Sequence, residues 1–284
     1  MKEIPIFQVD AFTDERFRGN PAAVCILDTE EDLTDDEMQK IAEEMNLSET
    51  AFIIRIPGGE SVNYHLRWFT PTVEVSLCGH ATLATAHVLF KDLKVCRDKI
   101  HFHTLSGELT VLNLGDKYSM DFPLGNPEPV EFPDSLFENL GVTKDQIIAT
   151  NKNEFKEEFV AVIEVNSEKL VRELSPKWYA LLNTDYGMEI NGVYVTAKSD
   201  MEDVDFVSRC FFPWIGINED PVTGSAHTVL GPYWKTKLNK HKLVAHQVSK
   251  RLGKLWLKIP DENPNKRIFI KGTAITAAHG TFLL

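Results

Sequence analysis

Apolar and polar positions alternate along residues 4–12, which predicts a strand, and A-A-V-C-I-L at 22–27 predicts another beyond the turn Gly19-Asn20-Pro21. The period then changes. Thr34 with Glu37 three residues on reads as a capping box, and M-Q-K-I-A-E-E-M continues with helical spacing to about Asn46. Strands are predicted over 50–56 and 64–71, followed by an almost wholly apolar helix over 79–91. A hairpin over 101–114 should turn at Ser106-Gly107, with a further strand over 118–123. Three prolines between 125 and 133 mark a linker. Beyond it the pattern predicts a short helix over 134–141, a strand over 157–165 and a helix over 175–183. Strands at 192–197 and 205–213, a helix over 222–235, a hairpin over 246–259 and strands at 267–272 and 274–282 complete the chain.

One arrangement occurs twice. L-C-G-H-A-T-L-A at 77–84 and V-T-G-S-A-H-T-V at 222–229 each place a glycine and a polar residue at the start of an apolar helix. A helix start presents free backbone N–H groups at the positive end of the helix dipole, which suits an anion. Arg67-Trp68-Phe69-Thr70-Pro71 matches Arg209-Cys210-Phe211-Phe212-Pro213, an offset of 209 − 67 = 142, and the glycines Gly79 and Gly224 are offset by 224 − 79 = 145. Recurrence of strand, glycine turn, buried helix and hairpin at near-constant spacing signals an internal duplication. The expected fold is therefore α+β, with two pseudo-symmetric halves, each a curled, mostly antiparallel sheet around a central helix. The boundaries read as 1–122 plus 274–284 and 123–273, with a cleft between the halves.

Composition narrows the function. The 284 residues carry a net charge of −12, and no basic stripe offers to neutralise phosphates, so neither a nucleic acid nor a membrane surface is an expected partner. Cys25, Cys78, Cys96 and Cys210 form no C-x-x-C pair, so a disulfide framework or zinc site is not indicated. The histidines show no metal-ligand spacing, and no phosphate-binding glycine motif occurs, so the pattern points to neither a metal site nor a nucleotide site. The N-terminus lacks a signal-peptide core and no 18-residue apolar run exists, which leads to the expectation of a cytoplasmic protein.

Four stretches, F-R-G-N-P-A-A-V (17–24), N-L-S-E-T-A-F (46–52), C-G-H-A-T (78–82) and E-D-P-V-T-G-S-A (219–226), together resemble the signatures of the phenazine biosynthesis-like, or PhzF, family. The chain is close to the animal members, known as MAWD-binding or phenazine biosynthesis-like domain-containing proteins. The resemblance implies a diaminopimelate epimerase-like fold and a cofactor-independent isomerase of a small carboxylic acid, with a glutamate-mediated proton shift in the inter-domain cleft. It makes Glu49 the general acid/base, and it places His80, Asp220 and Ser225 in the active site. A carboxylate shuttles protons near neutral pH when its surroundings raise its pKa, although Glu49 also fits a solvated residue after a helix end. Asp220 alone reads equally as a turn residue before proline. Ser48, Gly79, Gly224 and Ser225 would offer hydroxyl or backbone donors to the substrate, and Asn20 is a weaker candidate for substrate contact. Arg67 and Arg209 fit either acid binding or structural pairing. A homodimer and a protein partner are further expectations of the likeness.

The alternatives are a two-base racemase or epimerase using Cys78 and a catalytically silent interaction protein. In two-thiol epimerases a thiol precedes each paired glycine. Here Cys78 has Thr223 as its counterpart, and an alcohol is far too weak an acid for that role. Cys78 then reads as a small buried residue.

Overall fold

The alternating N-terminal stretches form antiparallel strands β1 (Glu3–Ala11) and β2 (Asn20–Leu27) in the computed structural model, which describes residues 2–58, 62–155, 158–262 and 264–284. Helix α1 (Asp35–Met45) starts at the Thr34–Glu37 capping box and ends at Asn46, whose left-handed backbone (φ 48°) asparagine tolerates better than most residues. That turn delivers β3 (Glu49–Ile56) parallel to β2, with Glu49 opposite Ala22. Strand β4 (Asn63–Phe69) and the two-residue β5 (Glu74–Val75) follow in antiparallel fashion. Every residue of α2 (Gly79–His87) is buried, because alanine, threonine and glycine let strands approach it closely. Strand β6 (Lys99–Thr104) lies parallel to β4, while β7 (Gly107–Asn113) and β8 (Tyr118–Pro123) continue antiparallel. The last strand of the chain pairs with β1 and completes the first compact unit, Met1–Phe122 with Phe269–Leu284.

The second unit, Pro123–Ile268, is built to the same plan. After β9 (Glu128–Pro129) and α3 (Asp134–Leu140), β10 (Ile147–Phe155) pairs antiparallel with β11 (Glu158–Val165), as β1 does with β2. Helices α4 (Glu168–Glu173) and α5 (Trp178–Asn183) lead to β12 (Gly192–Lys198), parallel to β11 as β3 is to β2. Then β13 (Phe206–Phe212) and β14 (Ile217–Asp220) pair as β4 and β5 do. Helix α6 (Gly224–Leu238) takes the place of α2. Strand β15 (Lys242–Gln247) is parallel to β13 and antiparallel to β16 (Gly253–Lys258), as β6 is to β4 and β7. Six pairings recur in the same order and sense, the structural signature of duplication. The chain then enters β17 (Arg267–Gly272) and ends in β18 (Ala274–Leu283), the partner of β1.

The duplication extends to side chains. Arg67 makes a two-pronged ion pair with Glu74 (2.7 and 2.8 Å), and Arg209 makes one with Glu219 (2.6 and 2.7 Å). Each guanidinium sits 5.1 Å from a phenylalanine ring, Phe69 or Phe211. Both arginines therefore serve the fold.

Several elements differ from the pattern-based expectation. The first central helix is α-helical only to His87 and then widens into a π-turn over Val88–Asp92. The second spans Gly224–Leu238 rather than 222–235. The first-unit hairpin turns on Leu105-Ser106, and Gly107, at φ 96°, already pairs with Thr104. The strand expected over 157–165 is β11; Glu157 lies outside the described residues. Strand β10 escaped notice because a bulge between Ile147 and Ala149 breaks its alternation, and α4 because it has only six residues.

Pro232 lies inside α6 and cannot donate to the carbonyl of Thr228 four residues earlier. The Gly125 N–H takes that carbonyl instead, at 3.0 Å. A Cβ on Gly125 would fall 2.9 Å from Val229 Cγ2 and 3.1 Å from the Thr228 oxygen. Gly125→Ala is expected to destabilise the protein by about 1–3 kcal/mol through overpacking, measured as a lower urea midpoint at unchanged slope.

Candidate active site

In the first unit the parallel pairing of β2 with β3 brings their N-terminal ends together. Asn20 is fully buried at the start of β2, and its Oδ1 accepts a hydrogen bond from Ser48 Oγ at 3.3 Å. Glu49 is the next residue, and its side chain is 15% exposed. Its Oε2 lies 3.1 Å from Nε2 of His80, the second residue of α2. The ring N–H direction misses the oxygen, so the groups are in contact without a formed hydrogen bond. On the other side of the ring, Nδ1 lies 3.5 Å from Cys78 Sγ. Burial pushes His80 down to about 3, so the imidazole is neutral and carries one proton on two faced nitrogens. With Glu49 ionised, the tautomer protonated at Nε2 suits the carboxylate and leaves Nδ1 to accept from the thiol. With Glu49 protonated, the other tautomer suits it. The arrangement tolerates a proton on Glu49 in either state.

Cys78 is thus more than the small buried residue its sequence suggested; the thiol touches the imidazole. One atom each of Glu49, Cys78 and His80 lies within 4.8 Å of the others, a composition also compatible with a metal ion. The geometry favours a relay. The imidazole stands between thiol and carboxylate and faces each with a different nitrogen, whereas a single ion would have to be met by all three from one side.

The second unit carries its own polar group. Asp220, at the end of β14, is 8% exposed, and its Oδ2 accepts a 2.5 Å hydrogen bond from Thr223 Oγ1. Gly224 is the buried first residue of α6, and Ser225 beside it is exposed. Neither Cys78 nor Thr223, the residues that precede the two helices, caps its helix with its side chain, which leaves the first-turn N–H groups of Gly79 and Gly224 outside any cap bond. Glu49 has no equivalent here. The position that opens the matching strand is Gly192, where a Cβ would meet the Phe212 ring at 2.7 Å. The two halves have the same frame and different chemistry. Gln247, which contacts Thr223, was missed from sequence; the alternation of Leu243, Ala245 and Gln247 along β15 puts this polar residue on the buried face and could have flagged it.

Burial also holds His227 at about 4, with Nδ1 2.7 Å from the Thr223 carbonyl. Both histidines bind a proton more readily unfolded, near their ordinary 6.5, than folded. Their contribution to stability is complete above about pH 6.5 and is lost as pH falls toward 4 and 3, at up to about 1.4 kcal/mol per pH unit each. His227→Phe is expected to flatten the decline of the urea midpoint between pH 6.5 and 4 relative to the unmodified chain.

Comparison with known proteins places the chain among relatives. A family model described as phenazine biosynthesis-like protein, PhzC-PhzF, matches residues 9–280. An uncharacterized isomerase of Halalkalibacterium halodurans is 46% identical over 286 residues, covering 100% of both chains. The human phenazine biosynthesis-like domain-containing protein is 41% identical over 290 residues, covering 98% of this chain and 99% of its own. The crystal structure of a PhzF-family protein from Enterococcus faecalis is 42% identical, with a TM-score of 0.87 and full coverage of both chains. A probable proline racemase from Agrobacterium radiobacter shares the fold alone, at 12% identity and a TM-score of 0.62 over 99% of this chain and 93% of its own. Among the described residues no helix is long and apolar enough to cross a membrane.

Proposed function

The chain belongs to the PhzC-PhzF family of phenazine biosynthesis-like proteins, and on that premise we propose that it is an isomerase of a small carboxylic acid in which Glu49 moves the proton. The observation that carries the reading is the Glu49 carboxylate at 3.1 Å from the neutral, buried His80 ring. Related proteins that bear the name isomerase support the reaction class. In the proposed step Glu49 takes a proton from a carbon of the substrate, and the C–H electron pair moves into an adjacent unsaturated system. The protonated Glu49 exchanges its proton with solvent and then delivers one to a second carbon on the same face. Atoms and electrons balance within the substrate, so the step calls for neither an oxidant nor a metal. We assign His80 the role of a polar neighbour that completes a hydrogen bond to Glu49 when the two align in turnover, donating or accepting according to its tautomer. In each unit a helix start, at Gly79 or Gly224, offers backbone donors suited to a carboxylate; we add to them Asn20, whose Oδ1 the Ser48 hydroxyl engages, and the exposed Ser225, and we assign Asp220 a part in the turnover.

A two-thiol epimerase fits less well. The position equivalent to Cys78 is Thr223, whose hydroxyl is already given to Asp220. The metal reading and the silent interaction partner are separated from the proposal by experiment. Protein stripped with a chelator is incubated with a panel of small acids that carry a C–H next to a C=C bond, and products are followed by NMR. A rearranged isomer is expected at an undiminished rate. Turnover that returns only after a divalent metal is added, or no turnover with any acid, would count against the proposal.

A further inference from the structure

We propose that Thr223 and Gln247 are positioning residues for Asp220, together aiming one hydroxyl proton at its carboxylate. This rests on the reading above that Asp220 takes part in turnover.

The side-chain amide of Gln247 is fully buried, and its orientation is fixed without ambiguity. Its oxygen accepts from the Thr223 backbone N–H at 2.8 Å and from Cys210 Sγ at 3.6 Å. Its nitrogen donates to the Asp220 carbonyl at 2.7 Å and to Thr223 Oγ1 at 3.1 Å. A flipped amide would set donor against donor at the first contact and acceptor against acceptor at the carbonyl. Since Thr223 Oγ1 accepts from Gln247, its own proton goes to Asp220 Oδ2 at 2.5 Å. Every step in this chain has one allowed direction, and it ends on the Asp220 carboxylate.

Thr223 makes this bond in place of an ordinary one. It is the N-cap of α6, with the extended backbone of a capping residue, yet its side chain makes no cap hydrogen bond. The equivalent residue of the first unit does likewise: Cys78 is the N-cap of α2, makes no cap hydrogen bond, and turns its thiol toward His80. In both units the capping side chain serves a neighbouring polar group instead of the helix. A purely structural threonine at this position would be expected to cap.

The test uses the full-length chain labelled with carbon-13, read at the side-chain carboxyl resonance of Asp220. Thr223→Val keeps the shape and removes the hydroxyl; Thr223→Ser restores it; Gln247→Met removes both amide donors. The Asp220 resonance is expected to move in Thr223→Val and in Gln247→Met and to hold its place in Thr223→Ser. A resonance unmoved in folded Thr223→Val overturns the proposal, and this arm decides even where Gln247→Met fails to fold. For an acid that the unmodified enzyme isomerises, Thr223→Val should lower kcat about ten-fold, the size of one lost charge-assisted hydrogen bond. KM should stay within about two-fold, and Thr223→Ser should recover kcat. An unchanged kcat overturns the positioning role. If no acid is isomerised while the Asp220 resonance responds as described, the proposed function fails and the Gln247–Thr223–Asp220 coupling stands.

Discussion

Replacing Glu49 with glutamine is expected to lower the isomerisation rate by roughly 100- to 10,000-fold, the range that one positioned general base contributes, while the fold stays intact. Glutamine has nearly the shape of glutamate but cannot take a proton. It opens β3, whose pairing with β2 uses backbone groups, so the sheet does not depend on the carboxylate. His80→Gln is expected to cost less, about ten-fold, because the imidazole steadies Glu49 and is not itself the base in this account. Cys78→Ala should cost little, since Nδ1 of His80 keeps a tautomer without the thiol. The order Glu49, His80, Cys78 in severity is what distinguishes a carboxylate mechanism from a thiol one, and steady-state kinetics of the three variants give it.

The second large effect lies in the frame. Arg209 and Arg67 hold equivalent ion pairs, but their surroundings differ. The Arg209 side chain is 11% exposed, and besides Glu219 it donates to the carbonyls of Leu174 at 2.7 Å and Val171 at 3.3 Å, at the open end of α4. The Arg67 side chain is 29% exposed and pairs with Glu74 and with Asp35, whose side chain is 77% exposed. Glu74 and Glu219 keep similar exposure, 24% and 21%, so removing either arginine leaves a half-buried carboxylate, and removing Arg209 also leaves the α4 carbonyls without their donor. Arg209→Met is therefore expected to destabilise by about 3–5 kcal/mol, and Arg67→Met by about 1–3 kcal/mol less, the cost of leaving buried acceptors unsatisfied. Urea unfolding of the two variants under one condition checks the difference. Equal losses would mean that the α4 carbonyls add nothing to the worth of the repeated pair.

Much of the frame was legible because it is written twice. The spacing of Arg67 with Phe69 and of Arg209 with Phe211, followed by the glycines, exposed the duplication, and the six recurring strand pairings are its three-dimensional form. The capping box at Thr34 gave the start of α1, since the same side chains that signal it make its hydrogen bonds. What escaped was set by tertiary contacts. Nothing local foretells that His80 meets Glu49, or that Pro232 is tolerated because Gly125 supplies the missing donor. Gln247 was hidden for a related reason: one amide in a strand says little until the Thr223 N–H, the Thr223 hydroxyl and the Asp220 carbonyl are found around it. Glu49 and His80 stood out as motif residues 31 positions apart (80 − 49 = 31), and their approach depends on the packing of α2 against β3.

The central claim is that Glu49, and not Cys78, carries the proton. Deuterium uptake measures this most directly: the unmodified chain, Glu49→Gln and Cys78→Ala are each incubated in D2O with the acid that turns over, and label on the substrate carbons is read by NMR. The account requires uptake in the unmodified chain and in Cys78→Ala and none above background in Glu49→Gln. Uptake that survives in Glu49→Gln and disappears in Cys78→Ala would contradict it.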